Sequence, residues 1–547
     1  MRKTSRCLLL ISLAAALLAG GLAVHGFWQG SMNSREEGSI EIIGEAEPDP
    51  AAVKDVRQAV EAFPSVLEST TGIRLHHPVK VYVTGSEQSY QNVLKDAFHL
   101  SAEEAGEIAA LSGGWTGGRR GLTAINAKAG VMSTPADRIS TTGHELFHQV
   151  QYELSRGRDT DEKALFWLEE GSADYFGAVL ASHLGQRPVD KWMMDVKAEL
   201  LGAAETASPD QLQHNNLEQR KALMKKNLHS YAMSDLMSWY LLSTRAEGIE
   251  CRKLGEYFER LGQAERGEQA FQETFGIALD DFLREFRVWW QQEQKKEAVF
   301  HFVSRKGVRE ELADELARQA QLAQQSFQSH FGGTLHGEYQ IVLASDQQDL
   351  SRAVQEFCGM NPEKAGTLAA SSLWIENGST VLINVGQLDT RRQQIFSMGT
   401  MLMRIMQSQR SGHPAEDMEW LVRGAGYVMG TVRLSESGYG ALTQYRQAWL
   451  SVLRQSGRLP PLSRMETADG YQSAAEEFSE DTVSVLAEYA VLRLVDRYGW
   501  QSLAEWQDKT RLTGDSRRAF RQVYGQDCRS FEKSIESSLG QSLLYTK

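Results

Sequence analysis

The sequence repeats itself, and the repeat constrains the architecture before any single residue is weighed. In the first half, VYVTGSEQSY from Val81 reads as a strand and turn, followed by AFHLSAEEAGEIAAL, Trp115 and GLTAIN ending at Asn126. In the second, IVLASDQQDL from Ile341 leads to EFCGMNPEKAGTLAA, Trp374 and STVLIN ending at Asn384. Trp167-Leu168-x-x-Gly171 is matched by Trp420-Leu421-x-x-Gly424, and AFQETFG from Ala270 by AFRQVYG from Ala519. The offset shrinks from 259 residues at Trp115/Trp374 to 253 at Trp167/Trp420 and 249 at Ala270/Ala519. One ancestral unit of about 250 residues with small deletions gives that order, whereas shared helical propensity does not. Charged QQEQKKEA, Gln291 to Ala298, ends a helix carrying Trp289 and Trp290 and sets the boundary, so the units are 46–298 and 299–547.

Within a unit, an amphipathic helix (VKDVRQAVEAF from Val53) precedes alternating strand runs, and everything after Arg138 is mainly helical by apolar period. That order predicts an α+β fold in tandem, each copy a mixed sheet followed by a mainly helical half. GLTAIN is a candidate edge strand for an extended peptide. At 41% hydrophobic residues and 24% charged, the chain can bury a large core. Its net charge of -13 repels phosphate backbones and argues against nucleic acid as a partner. Cys7 lies in the N-terminal apolar run, and the remaining Cys251, Cys358 and Cys528 are expected as unpaired thiols.

Arg2, Lys3 and Arg6 precede an uncharged stretch from Cys7 to Val24, the pattern of an export signal. Residues 1–27 are read as a signal peptide or membrane anchor and 28–45 as a polar tether. Cleavage after Gly21-Leu22-Ala23 and anchoring through 7–24 both stay open, and both put the body outside the cytoplasm.

His144-Glu145-Leu146-Phe147-His148 is an HExxH motif. Residues four apart on a helix share a face about 6 Å apart, so both imidazoles can reach one metal ion while Glu145, on the adjacent arc, serves as general base. With 13 histidines in 547 residues, chance supplies roughly 0.02 such motifs. A catalytic zinc takes a third protein ligand from another element. WLEEGSADYF, Trp167 to Phe176, offers Glu170 as that ligand and Asp174, one turn on, as the acceptor of a ligand histidine's free N–H; Glu169 is the fallback ligand.

HELFH followed after 21 residues by WLEEGSADYF resembles the gluzincin metallopeptidases, in particular bacterial peptidase MA-like domains and, more distantly, the thermolysin and aminopeptidase groups. The resemblance covers about 46–298. It implies a zincin-like unit, one Zn2+ per chain held by His144, His148 and Glu170, and hydrolysis of a peptide or protein substrate. It also implies an electrophilic Tyr about 60 residues past the Glu ligand. Tyr231 fits, with His229 as the competing donor; either would hydrogen-bond the oxyanion at the scissile carbonyl. The gap is longer than in the best-known groups and no G-x-M-E-N stretch precedes the helix, so aminopeptidase specificity is not implied. The competing class is a non-catalytic binding or scaffold protein with a structural zinc, and a third possibility is hydrolysis of a non-peptide amide. Glu145 discriminates, because a structural site needs no base.

In the second copy, His144, Glu145 and His148 fall on Thr400, Met401 and Arg404, and Glu170 falls on Arg423. The expectation is a degenerate, metal-free unit left to position substrate or bind a partner. Its arginines are expected as a solvated pair on decayed helices ahead of a new anion site, with carboxylates such as Glu416, Asp417 or Glu419, or an anionic ligand, as the alternative partners.

Overall fold

A computed structural model describes residues 38–44, 49–117, 120–128, 132–215, 217–244, 251–412 and 417–544. The predicted signal or anchor, 1–27, lies outside these residues. No helix among the described residues is long and apolar enough to cross a membrane. The chain divides into two compact units with the main break between Gln294 and Lys295, inside the charged stretch that marks the boundary in sequence.

The first unit runs β1 Ile40–Gly44, α1 Pro50–Thr71, β2 Val79–Thr84, α2 Glu87–Asp96, α3 Ala102–Leu111, β3 Gly114–Trp115 and β4 Leu122–Asn126. Helices follow: α4 Pro135–Ser155, α5 Phe166–His183, α6 Val189–Gly202, α7 Leu217–Lys225, α8 Ser230–Trp239, α9 Arg252–Leu261, α10 Gly267–Phe275 and α11 Leu279–Glu293. The sheet order is β1-β2-β4-β3, parallel except for β3 against β4. Tyr90 of α2, Phe98 after it and Ile108 of α3 pack with Trp115 of β3 and Ala124 of β4 in one buried cluster.

Two expectations are corrected here. Residues 40–44 belong to the sheet and not to a tether, because β1 pairs in parallel with β2, Ile42 opposite Val81; five residues broken by Glu41 and Gly44 carry too little alternation to stand out. GLTAIN is not an edge strand, since β4 is bonded to β2 on one side and β3 on the other. The edges are β1 and β3, and the two residues of β3 are too few to read as a strand in sequence.

The second unit repeats the plan with β5 Val299–Ser304, α12 Glu310–Phe331, β6 Glu338–Ala344, α13 Gln347–Cys358, α14 Pro362–Ser371, β7 Trp374–Asn377 and β8 Thr380–Asn384. After these come α15 Arg391–Ser411, α16 Glu419–Glu436, α17 Leu442–Gln455, α18 Ala468–Phe478, α19 Glu480–Tyr498, α20 Gln501–Thr513, α21 Ser516–Tyr524 and α22 Cys528–Leu544. Its sheet, β5-β6-β8-β7, has the same order and directions as the first. The fold of the chain is α+β. Cys251, Cys358 and Cys528 are unpaired.

Candidate metal centre

Helix α4 begins at a capping box, in which the Thr134 hydroxyl accepts from the Asp137 amide and the Asp137 carboxylate accepts from the Thr134 amide, with Pro135 pre-set for the first turn. From Ile139 to Gln151 it is buried on nearly every face. Closest packing is with α5, where Gly143 and Gly177 allow backbone approach: a Cβ on Gly177 would lie 2.3 Å from the Ser140 carbonyl oxygen. The two helices thereby bring the HExxH face against Glu170.

The Nε2 atoms of His144 and His148 lie 2.9 Å apart, and Glu170 Oε2 is 3.6 and 3.5 Å from them. All three side chains are buried. Zinc bonds of about 2.0–2.2 Å set tetrahedral donors about 3.3 Å apart, so the triangle has the dimensions of one ion's ligand set. What fixes the rings lies outside it. His144 Nδ1 is 2.8 Å from Asp174 Oδ1, and His148 Nδ1 is 2.6 Å from Gln151 Oε1. Gln151 cannot be turned over, because its Nε2 donates to the Glu169 carbonyl (2.8 Å) and to Ser172 Oγ (3.0 Å). His148 therefore donates from Nδ1 to Gln151, the Asp174 carboxylate stands 2.8 Å from Nδ1 of His144, and both Nε2 atoms converge beside a carboxylate oxygen.

Glu145 is 1% exposed. Its carboxylate packs against β3, where Gly114 is required: a Cβ there would sit 2.5 Å from Glu145 Cγ. Burial raises the Glu145 pKa, against the pull of both histidines and of the Thr116 hydroxyl, 2.7 Å from Oε2.

The structure separates the two glutamates. Glu169 turns away, its Oε2 taken by Asn215 Nδ2 (2.5 Å) and Arg220 Nη2 (3.0 Å), and burial holds its pKa above the usual range. Glu170 faces the histidines; burial works to raise its pKa, but His148, Arg220 and His144 outweigh that and hold it low. Arg220 spans both, with Nη1 3.3 Å from Glu170 Oε1 and its guanidinium 4.0 Å over the Phe166 ring. Behind Asp174, burial and then the adjacent Asp174 carboxylate raise the pKa of Asp235 of α8 well above the carboxylate range.

Tyr231, on the first turn of α8, is half-buried and meets Phe166 edge-on at 5.6 Å. Burial, then the charge of Glu170, raises its pKa and keeps the phenol protonated. His229 has left-handed backbone (φ 50°) and turns Nδ1 to Glu199 Oε1, 2.8 Å away. Thr116, Gln151, Asn215, Arg220 and Asp235 went unnoticed in the sequence. Gln151 alone carried a local signal, one turn past His148.

In the second unit, α15 starts 256 residues after α4 and ends 256 after it, which puts Thr400, Met401 and Arg404 at the positions of His144, Glu145 and His148. Arg423 pairs with Glu419 at 2.6 Å and lies 4.5 Å over the Tyr471 ring.

No family model, curated protein or solved structure matches this chain.

Proposed function

We propose that the chain is an extracytoplasmic, zinc-dependent peptidase built from a tandem zincin-like unit, with the first copy active and the second without catalytic residues. One observation carries the metal reading: two imidazole Nε2 atoms converge at 2.9 Å beside a buried carboxylate, with both Nδ1 atoms engaged elsewhere. Such an arrangement is relieved by a positive charge between the two nitrogens, either a proton or a metal ion, and three converging donors suit a metal ion. Both Glu170 oxygens are buried: Oε1 is ion-paired with Arg220, and Oε2 faces the two histidine Nε2 atoms with no hydrogen-bond partner among the described residues. His144, His148 and Glu170 therefore fit as ligands. A bound zinc-class ion would supply acidified water and a polarised carbonyl.

The chain's own groups supply the rest. Glu145, oriented by Thr116, takes a proton from water and returns it to the leaving amine. Tyr231, protonated and beside the ligand cluster, donates to the carbonyl oxygen as negative charge develops there. Asp174 and Gln151 hold the rings, and Asp235 and Arg220 hold Asp174 and Glu170. Placement outside the cytoplasm rests on the basic and apolar N-terminus alone. Glu145 favours an enzyme over a scaffold, since nothing in the ligand geometry calls for a carboxylate there.

The test compares wild type with Glu145→Gln on a random peptide library, with bound metal measured in both. The expected result is metal-dependent cleavage in wild type and a loss of roughly 10²- to 10⁴-fold in the variant, with metal retained. Equal turnover in the two, or none in either, counts against the enzyme.

A further inference from the structure

The second unit carries a cluster of donor atoms away from the positions that match the first unit's HExxH. Cys528 and Glu532 sit one turn apart on α22, with Sγ 3.3 Å from Oε1. Met418, which caps α16, brings Sδ to 3.6 Å from Cys528 Sγ. Glu466 completes the group: a carboxylate oxygen of Glu466, the thiol sulfur and an oxygen of Glu532 all lie within 4.8 Å of one another.

The first unit shows what these positions hold when they serve packing alone. Helices α11 and α22 begin at Leu279 and Cys528, so Leu283 matches Glu532; α5 and α16 are preceded by Leu165 and Met418. All three leucines are buried, and Trp167 stacks on Phe282 as Trp420 stacks on Phe531. Three leucines of one core are thus a thioether, a thiol and a carboxyl in the other. The carboxyl replacing a buried leucine costs stability unless both oxygens are satisfied. Glu532 is 1% exposed. Its Oε1 accepts from the Trp420 indole at 3.1 Å, while Oε2 is buried with no hydrogen-bond partner among the described residues. Oε1 thus faces both the indole and the Cys528 sulfur, and Oε2 of the same buried carboxyl has neither as its partner.

We propose that Cys528, Glu532 and Glu466 bind a divalent transition-metal ion of the zinc class, with the Met418 thioether beside it. The separations suit one ion: bonds of about 2.3 Å to sulfur and about 2.0–2.2 Å to oxygen put a tetrahedral S and O roughly 3.5 Å apart and two sulfurs roughly 3.8 Å apart. The donor set selects the metal, since thiolate favours borderline and soft ions over magnesium and calcium, and two carboxylates favour a 2+ charge over copper(I). Three deprotonated donors would face a divalent ion and Arg517, whose Nη2 is 2.6 Å from Glu466 Oε2 and whose Nε is shared with Asp417 at 3.6 Å, leaving Glu466 Oε1 for the metal and the site close to neutral. Binding releases the thiol proton to solvent and changes no oxidation state. The ion would tie α22 to α16 and the turn before α18, a structural site independent of the first unit's chemistry.

Cobalt(II) substitution of the full-length protein tests this, because a thiolate ligand gives an intense near-ultraviolet charge-transfer band that a His-His-Glu set does not. The band is expected in wild type and in His144→Ala/His148→Ala, and in Cys251→Ser and Cys358→Ser. It is expected to vanish in Cys528→Ser, and Glu532→Gln should weaken cobalt binding at least tenfold. Circular dichroism checks that each variant is folded. Should Cys528→Ser fail to fold, slowing of Cys528 alkylation in wild type on adding zinc stands in for it. Absence of a thiolate band in cobalt-loaded wild type, its survival in folded Cys528→Ser, or alkylation unaffected by zinc overturns the site. Loss of cleavage in Glu145→Gln tests the first unit separately, so either reading can fail alone.

Discussion

The Thr116 hydroxyl lies 2.7 Å from Oε2 of Glu145 and 2.9 Å from the main-chain carbonyl of the same residue. A group on the loop after β3 thus grips both the backbone and the carboxylate of the residue assigned as general base. A hydrogen bond to a charged group is worth about 1.5–3 kcal/mol, so Thr116→Val is expected to lower kcat by roughly 10- to 100-fold. Metal content should not change, because Thr116 touches no ligand. Steady-state kinetics with metal analysis on one preparation checks both, and lost metal would mean that Thr116 supports the ligand helix rather than the base.

Gly171 tests how α5 is held against α8. A Cβ there would lie 2.2 Å from the Ser234 carbonyl oxygen and 2.5 Å from Ser238 Oγ. Backbone cannot yield cheaply, so Gly171→Ala is expected to cost about 1–3 kcal/mol and, being next to Glu170, to weaken metal binding. Gly106 in α3 has nothing within 4 Å of its would-be Cβ, and Gly106→Ala should gain about 0.5–1 kcal/mol. Urea midpoints of the two variants should move in opposite directions.

Arg220 is 5% exposed and bridges two adjacent carboxylates. Removing one partner of a buried ion pair costs about 3–5 kcal/mol, the loss expected for Arg220→Met in chemical denaturation. Arg220→Lys should recover only part of it, because one ammonium can neither fork to Glu169 and Glu170 nor stack flat on Phe166. Full recovery by lysine would reduce the role of Arg220 to charge alone.

How much of this was legible in sequence follows from distance along the chain. His144, Glu145 and His148 are visible because helical spacing is a local rule, and Glu170 and Asp174 because they share one short motif. What turns Glu169 away from the histidines is Asn215 and Arg220, 46 and 51 residues beyond it, on segments without periodic signal. Thr116 meets Glu145 across 29 residues, through a two-residue strand that no alternation pattern can reveal. The repeat conveyed the order of elements. It hid the Cys528 cluster, because leucine, methionine and cysteine read alike in an apolar pattern, and Glu532 passed as one more helical charge.

Glu488 of α19 supplies a pH dependence far from either ligand set. It is 6% exposed, and burial pushes its pKa up from 4.5 to about 8, offset in part by a hydrogen bond with the Trp449 side chain. In the unfolded chain the same group releases its proton near 4.5. Between these values the folded state keeps a proton that the unfolded state has lost, so unfolding free energy falls as pH rises through the window and levels off above about 8. A shift of this size corresponds to a loss of several kcal/mol, at about 1.4 kcal/mol per unit. Glu488→Gln keeps the shape and the hydrogen-bonding capacity but cannot ionise. Its urea unfolding free energy should fall less than that of wild type between pH 5 and about 9, with the gap widening up to about pH 8 and levelling off above it. Parallel curves for the two proteins would show that Glu488 is already charged in the folded state at neutral pH, and that water reaches it beside Trp449.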